Sequence, residues 1–183
     1  VTPPAWARLR IAGLLVVAVV VQSTFGDDLR LLGGAPDLML LLAICAGLTG
    51  GPEVGAVTGF VAGLLADVTL STTPLGLCAL TWCAVGWGVG TLRTNLLPDS
   101  RTVAAAIAVV ATAAGVVLFL LFGDLVGQSQ LIAYGRSYLL RTTVIEAFWS
   151  ALLVVPVLAV FARAARGLVG VDALRRPEAL APR

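Results

Sequence analysis

Histidine and lysine are both absent, so all 12 basic residues of this 183-residue chain are arginine. Without histidine there is no Ser–His pair, no imidazole base and no imidazole metal ligand. Cysteine is scarce too. Cys45, Cys78 and Cys83 lie in apolar runs with no C-x-x-C spacing, as small buried groups do and as disulfide or metal pairs do not. Charge is the third shortage, at 12% of residues, with 59% hydrophobic and mean hydropathy +1.01. Soluble domains carry about 25% charged residues, so a soluble globular domain is excluded. The glycine-rich Leu48-Thr49-Gly50-Gly51 has neither the lysine nor the strand–helix setting of a phosphate loop. An enzyme, a metal, a cofactor and a nucleic-acid partner are therefore all unexpected.

What the chain has is apolar runs. They cover Leu9 to Phe25, Pro36 to Leu48, Val54 to Leu70, Pro74 to Leu92, Thr102 to Phe122 and Thr142 to Ala162. Arg8 and Arg10 precede the first run, which has no A-x-A cleavage site and is followed by further runs; it reads as an uncleaved signal anchor. The second run is well short of the ~20 residues that cross a bilayer upright and could also be a broken or re-entrant helix. Pro156 predicts a kink in the last run. Tyr134 and Tyr138 sit four apart in a stretch of mixed polarity, as interfacial aromatics do.

Arginine placement decides on six spans. With the N-terminus inside, the cytoplasmic side holds Arg8, Arg10, Arg93, Arg101, Arg163, Arg166, Arg175, Arg176 and Arg183, against Arg30, Arg136 and Arg141 outside. The best five-span arrangement exports Arg8 and Arg10, against the positive-inside rule. The predicted fold is an all-α integral membrane protein of the cytoplasmic membrane, a six-helix transmembrane bundle over 1–165. Both termini are cytoplasmic, and an arginine-containing tail occupies 166–183. The arginine tail also suits anionic membrane lipid.

One helix carries the most informative pattern. Gly55, Gly59, Gly63 and Asp67 recur every four residues, a drift of only about 40° per step, so they share one face. Small residues on one face let helix backbones approach closely in lipid, either within the chain or against a partner. Ala62 lies off this stripe, where a leucine should be tolerated better than at Gly59 or Gly63. Asp67 and Glu146 are the only acids well inside apolar runs. Glu146 continues a polar stripe with Thr142 and Ser150. Two readings stand: a proton or substrate site, or acids paired with Arg141, Arg136 or backbone.

Pro36-Asp37-Leu38, then Gly59-Phe60-Val61-Ala62-Gly63-Leu64-Leu65-Ala66-Asp67, then Pro74-Leu75-Gly76-Leu77, in this order and spacing, resemble the MreD family of bacterial rod-shape proteins. The resemblance is close over residues 30–95 and adds Phe60, Pro74 and Gly76 to the packing or interface residues. It implies a non-enzymatic member of the cell-elongation complex that positions peptidoglycan synthesis. The implied partners are MreC first, then RodA and a penicillin-binding transpeptidase, with MreB indirectly. It also implies a fold similar to the S-components of energy-coupling-factor transporters. A vitamin-binding S-component is the alternative function. That alternative expects an A-x-x-x-A face on the first span, whereas Val16 and Gln22 follow Ala12 and Ala18 at four residues.

The six-span reading predicts opposite labelling at two positions. In a background without native cysteines, Ser129→Cys should react with an impermeant maleimide from outside and Ser100→Cys should not. External labelling at Ser100 would remove the second span.

Overall fold

A computed structural model describes residues 5–25, 36–69, 75–96, 101–127 and 136–165. Among them there is no strand. The chain forms α1 (Ala5–Phe25), α2 (Leu38–Thr69), α3 (Leu77–Leu96), α4 (Arg101–Leu125) and α5 (Arg136–Ala164). Pro74, Tyr134 and residues 166–183 lie outside the described residues. By length and apolar composition, three helical stretches can cross a membrane: Leu38–Thr69, Thr102–Leu125 and Arg141–Ala164. In α1 the apolar stretch is shorter, Leu9–Thr24. In α3, glycine, threonine and tryptophan dilute the hydropathy. This is a helical membrane protein.

The second helix is not one rod. Gly51 adopts φ 79°, ψ −171°, a conformation open essentially only to glycine, and Pro52 follows it. Proline suits the first position of a new helix, where no amide donor is needed. The chain reverses there. A methyl group built on Gly55 would stand 2.8 Å from the Gly47 Cα, although residues eight apart in an unbroken helix are about 12 Å apart. At the far ends of the two arms, Met39 and Ala66 line the same small cavity. The 32 residues of α2 therefore divide into antiparallel arms, 38–50 and 52–69.

The first arm is the core. Every residue from Met39 to Ala46 is at most 4% exposed. A helix that is apolar all round is buried all round, and one enclosed by protein need not match the bilayer thickness by itself. That accounts for the shortness of the second apolar run. Around it, Leu15 and Ala18 of α1, Ala104, Ala108 and Ala111 of α4, and Val154 and Phe161 of α5 complete one apolar cluster.

The second arm lies antiparallel to α3 in direct backbone contact. A Cβ added to Gly63 would meet Ala79 N at 2.5 Å, and one added to Gly90 would meet the Gly51 carbonyl carbon at 2.5 Å. Between those ends, Gly59 sits on the Trp82 carbonyl, and Gly55 and Gly86 each sit on the other's carbonyl. Gly47 of the first arm reaches the same place, where its Cβ would be 2.6 Å from the Gly86 oxygen. Three backbones converge there.

One expectation needs correction. Ala62 does not lie off the packed surface; it is fully buried. Thr58, Ala62 and Ala66 form a second buried row beside the glycines, because the first arm covers that flank. Pro156 lies inside α5, which is helical from Arg136 to Ala164.

The backbone contact sets the expected outcome of substitution. Gly59→Leu should cost about 3 kcal/mol, since the obstacle is backbone and cannot rotate away. Val61→Leu, at a position 40% exposed, should change stability by less than about 0.5 kcal/mol. Thermal unfolding of the purified protein in detergent measures both. Equal melting temperatures would contradict the close contact.

Candidate functional site

The costly groups of the sequence collect at one end of the bundle, where α1 ends and α2 and α3 meet. Asp67 is 2% exposed and sits at the end of the glycine face. Its Oδ2 accepts hydrogen bonds from Gly76 N at 2.8 Å and Ala79 N at 3.2 Å, and its Oδ1 accepts one from Cys78 N at 3.1 Å. The Gly76 carbonyl accepts the first intrahelical bond, from Leu80 N at 2.9 Å, so Gly76 is the N-cap residue of α3.

An N-cap side chain ordinarily satisfies the amides two and three residues on, and the residue at the third position can reach back to the N-cap amide. Glycine has no side chain to do this. Asp67 supplies all three bonds from a neighbouring helix, and its negative charge faces the positive end of the α3 dipole. Gly76 itself has φ +99°, which favours glycine.

A second cap of the same kind opens α2. The Asp37 Oδ1 accepts from Met39 N and Leu40 N, each at 3.1 Å, and its carbonyl accepts from Leu41 N at 3.0 Å. Gln22 of α1 adds to it: Gln22 Oε1 accepts from Leu38 N at 3.0 Å and Met39 N at 3.3 Å. The Gln22 amide in turn donates to Asp37 Oδ1 at 3.5 Å. Glu146 of α5 lies within electrostatic range of Asp37. Thus Gln22, Asp37, Asp67 and Glu146 share the end opposite to Gly51 and Arg93.

The α5 stripe divides. Ser150 is buried and accepts a 2.9 Å hydrogen bond from Thr112 Oγ1 of α4, whose hydroxyl also reaches the Ala108 carbonyl at 2.8 Å. Thr142 and Glu146 are half-buried, and Arg141 is exposed. Among the described residues, no ion pair joins Arg141 to Asp67 or Glu146. The structure thus brings together Gly55, Gly59, Gly63, Asp67 and Gly76 on the α2–α3 contact. It turns Phe60 outward, at 49% exposure, and keeps the α5 residues apart from them. Gln22 and Asp37 are absent from the expected set, although an aspartate just before an apolar run is an N-cap signal.

These groups are arranged to hold backbone rather than to attack a bond, and among the described residues no cluster of three potential metal ligands exists. Comparison with known families gives a match to the MreD family model, rod shape-determining protein MreD, over residues 8–164. The chain belongs to the MreD family. No curated protein and no solved structure is significantly similar to it. MreD proteins are rod shape-determining membrane proteins, and the segments that resemble the family in this chain are those with the strongest physical demands. Asp37 caps α2, Gly59 and Gly63 bring two backbones together, and Asp67 reaches across them to Gly76.

The capping geometry predicts a graded series at Asp67. An asparagine can keep its oxygen on Gly76 and Ala79 but turns its amide towards Cys78, so Asp67→Asn should lose about 1–2 kcal/mol. Asp67→Leu removes all three of these hydrogen bonds at once and should lose at least ~3 kcal/mol, with a fall in cellular protein level. Equal loss of function in both, at normal protein levels, would show that the charge acts beyond the cap.

Proposed function

We propose that this protein is a non-enzymatic scaffold of the cell-elongation complex, which positions peptidoglycan synthesis in the cytoplasmic membrane. The observation that carries the reading is the family match over residues 8–164. The polar chemistry supports it: Asp37 and Asp67 hold helix ends, and Ser150 holds α4. The contact partner proposed first is MreC, with RodA and its penicillin-binding transpeptidase in the same assembly and MreB reached indirectly.

In this reading the fold is a six-span bundle, with both arms of α2 counted as crossings. The reversal at Gly51 supports that count, because it places Asp37 and Asp67 at one end and Arg93 at the other. The arginine-rich end is then cytoplasmic, which satisfies the positive-inside rule. A similarity to the S-component fold belongs to the same proposal. The surface offered to a partner helix is the outward row Val57, Phe60, Val61, Leu64 and Val68 on the second arm, each at least 40% exposed. Bare apolar surface drives no association in lipid, so shape and interfacial polar groups must select the partner.

The test is photocrosslinking in the native cell. A benzophenone amino acid at Phe60 or Leu64 should capture MreC, whereas the same group at the lipid-exposed Val117 of α4 should not. Depletion of the protein should also redirect wall synthesis and alter cell shape. Capture of a transporter coupling subunit instead, with unaltered wall growth, would overturn the scaffold reading in favour of an S-component.

A further inference from the structure

We infer that the outward face of the second arm docks one membrane helix with lysine or arginine on its cytoplasmic flank, and that Glu53 selects it. This rests on the scaffold reading and states the chemistry by which the partner is recognised. Apart from Thr69 in the last turn, the exposed residues of the arm are Glu53, Val57, Phe60, Val61, Leu64 and Val68. The glycine face of the arm is closed by α3 and its alanine row by the first arm.

The stripe has the shape of a single contact. At about 100° of rotation per residue, its six positions fall within about 100° of arc and about 22 Å of length. An apolar stripe of about that width is what a helix turns towards what it packs on. Glu53 is not at its margin. In projection it falls between Phe60 and Leu64, about 20° from each. A glutamate in a first turn favours the helix dipole on any side, so the dipole gives no reason for its place on this one.

Charge selects the occupant. Val57 to Val68 alone suit hydrocarbon as well as protein, because apolar surface gains little by exchanging one for the other. Glu53 breaks that tie. Among the described residues no hydrogen bond or ion pair engages its carboxylate, and of the described acids it alone stands beside the Gly51 elbow. In the six-span orientation this is the cytoplasmic end, where acidic headgroups give the leaflet a negative surface. An anionic lipid is repelled there. The positive-inside rule places lysine and arginine just beyond the cytoplasmic end of a partner span, level with Glu53 when the two apolar faces meet. A partner with its N-terminus in the cytoplasm then runs parallel to the second arm.

The test is the affinity of the full-length chain for full-length MreC, titrated in neutral detergent. Glu53→Gln should weaken binding about threefold and Glu53→Arg about tenfold. Raising the salt concentration should narrow the gap between wild type and Glu53→Gln. Asp124→Asn, at an exposed acid in the last turn of α4, should change nothing. Replacing every lysine and arginine on the cytoplasmic flank of the MreC span by glutamate should weaken binding to the wild type and restore it to Glu53→Arg. If Glu53→Arg does not fold, Glu53→Gln completes the cycle: the reversed flank should bind it more tightly than it binds the wild type. Undiminished binding by the Glu53 variants, or a reversed flank that leaves the preference for the wild type in place, would overturn the inference and leave the scaffold reading standing. Absence of binding by the wild type would instead remove MreC as the contact partner, and the inference with it.

Discussion

The approach of the α2 and α3 backbones is the constraint from which the remaining geometry follows. Gly63 meets Ala79, Gly59 meets Trp82, Gly55 meets Gly86, and the Gly51–Pro52 turn meets Gly90, in one antiparallel register. In lipid, such contact replaces the hydrophobic effect as the source of helix association. It also fixes a distance. An aspartate side chain is short, and Asp67 can serve the first amides of α3 only because no side chains separate the two helices. Widening the gap by one methyl row would strand those amides.

The same contact makes room for the central arm. Gly47, Gly55 and Gly86 form a three-way junction that lets residues 38–50 sit against both neighbours near the reversal. At the other end this arm is held by Asp37 and by Gln22 of α1. Two of the helices that begin at the acidic end, the first arm and α3, therefore start on carboxylates, and in each case a side chain from elsewhere in the fold completes the cap. An acid at membrane depth is costly when its charge faces hydrocarbon. Here Asp67 faces three amides at a helix start, which offsets that cost with no counter-ion among the described residues.

Much of this was legible in the sequence. A four-residue period of glycines can only be one helix face, and an isolated aspartate in an apolar run demands a partner. The division of the long second helix was legible as the gap between the apolar runs Pro36 to Leu48 and Val54 to Leu70. Other features depend on tertiary placement that no local pattern encodes. Gly76, whose amide donates one of the Asp67 bonds, lies nine residues further along the chain. The Gln22 contribution spans two helices. Ala62 looked free because one face of the helix was already assigned to the glycines; the first arm, folding back, buries the adjacent row. Of the two partners open to Asp67, Arg141 or backbone, the described structure has backbone: its carboxylate accepts from Gly76, Cys78 and Ala79.

Burial of the first arm on all sides has a consequence for biogenesis. Residues 38–50 amount to about 20 Å of helix, less than the ~30 Å hydrocarbon thickness, and they offer lipid no face of their own. Such a segment has no stable solitary existence in the bilayer. It becomes stable only as the hairpin closes on residues 52–69, a step for which the one-residue reversal at Gly51 keeps the loop-closure entropy small. Insertion and packing are thus one event for this part of the chain. The order of synthesis suits it, because the arm that shelters the short helix emerges from the ribosome directly after it.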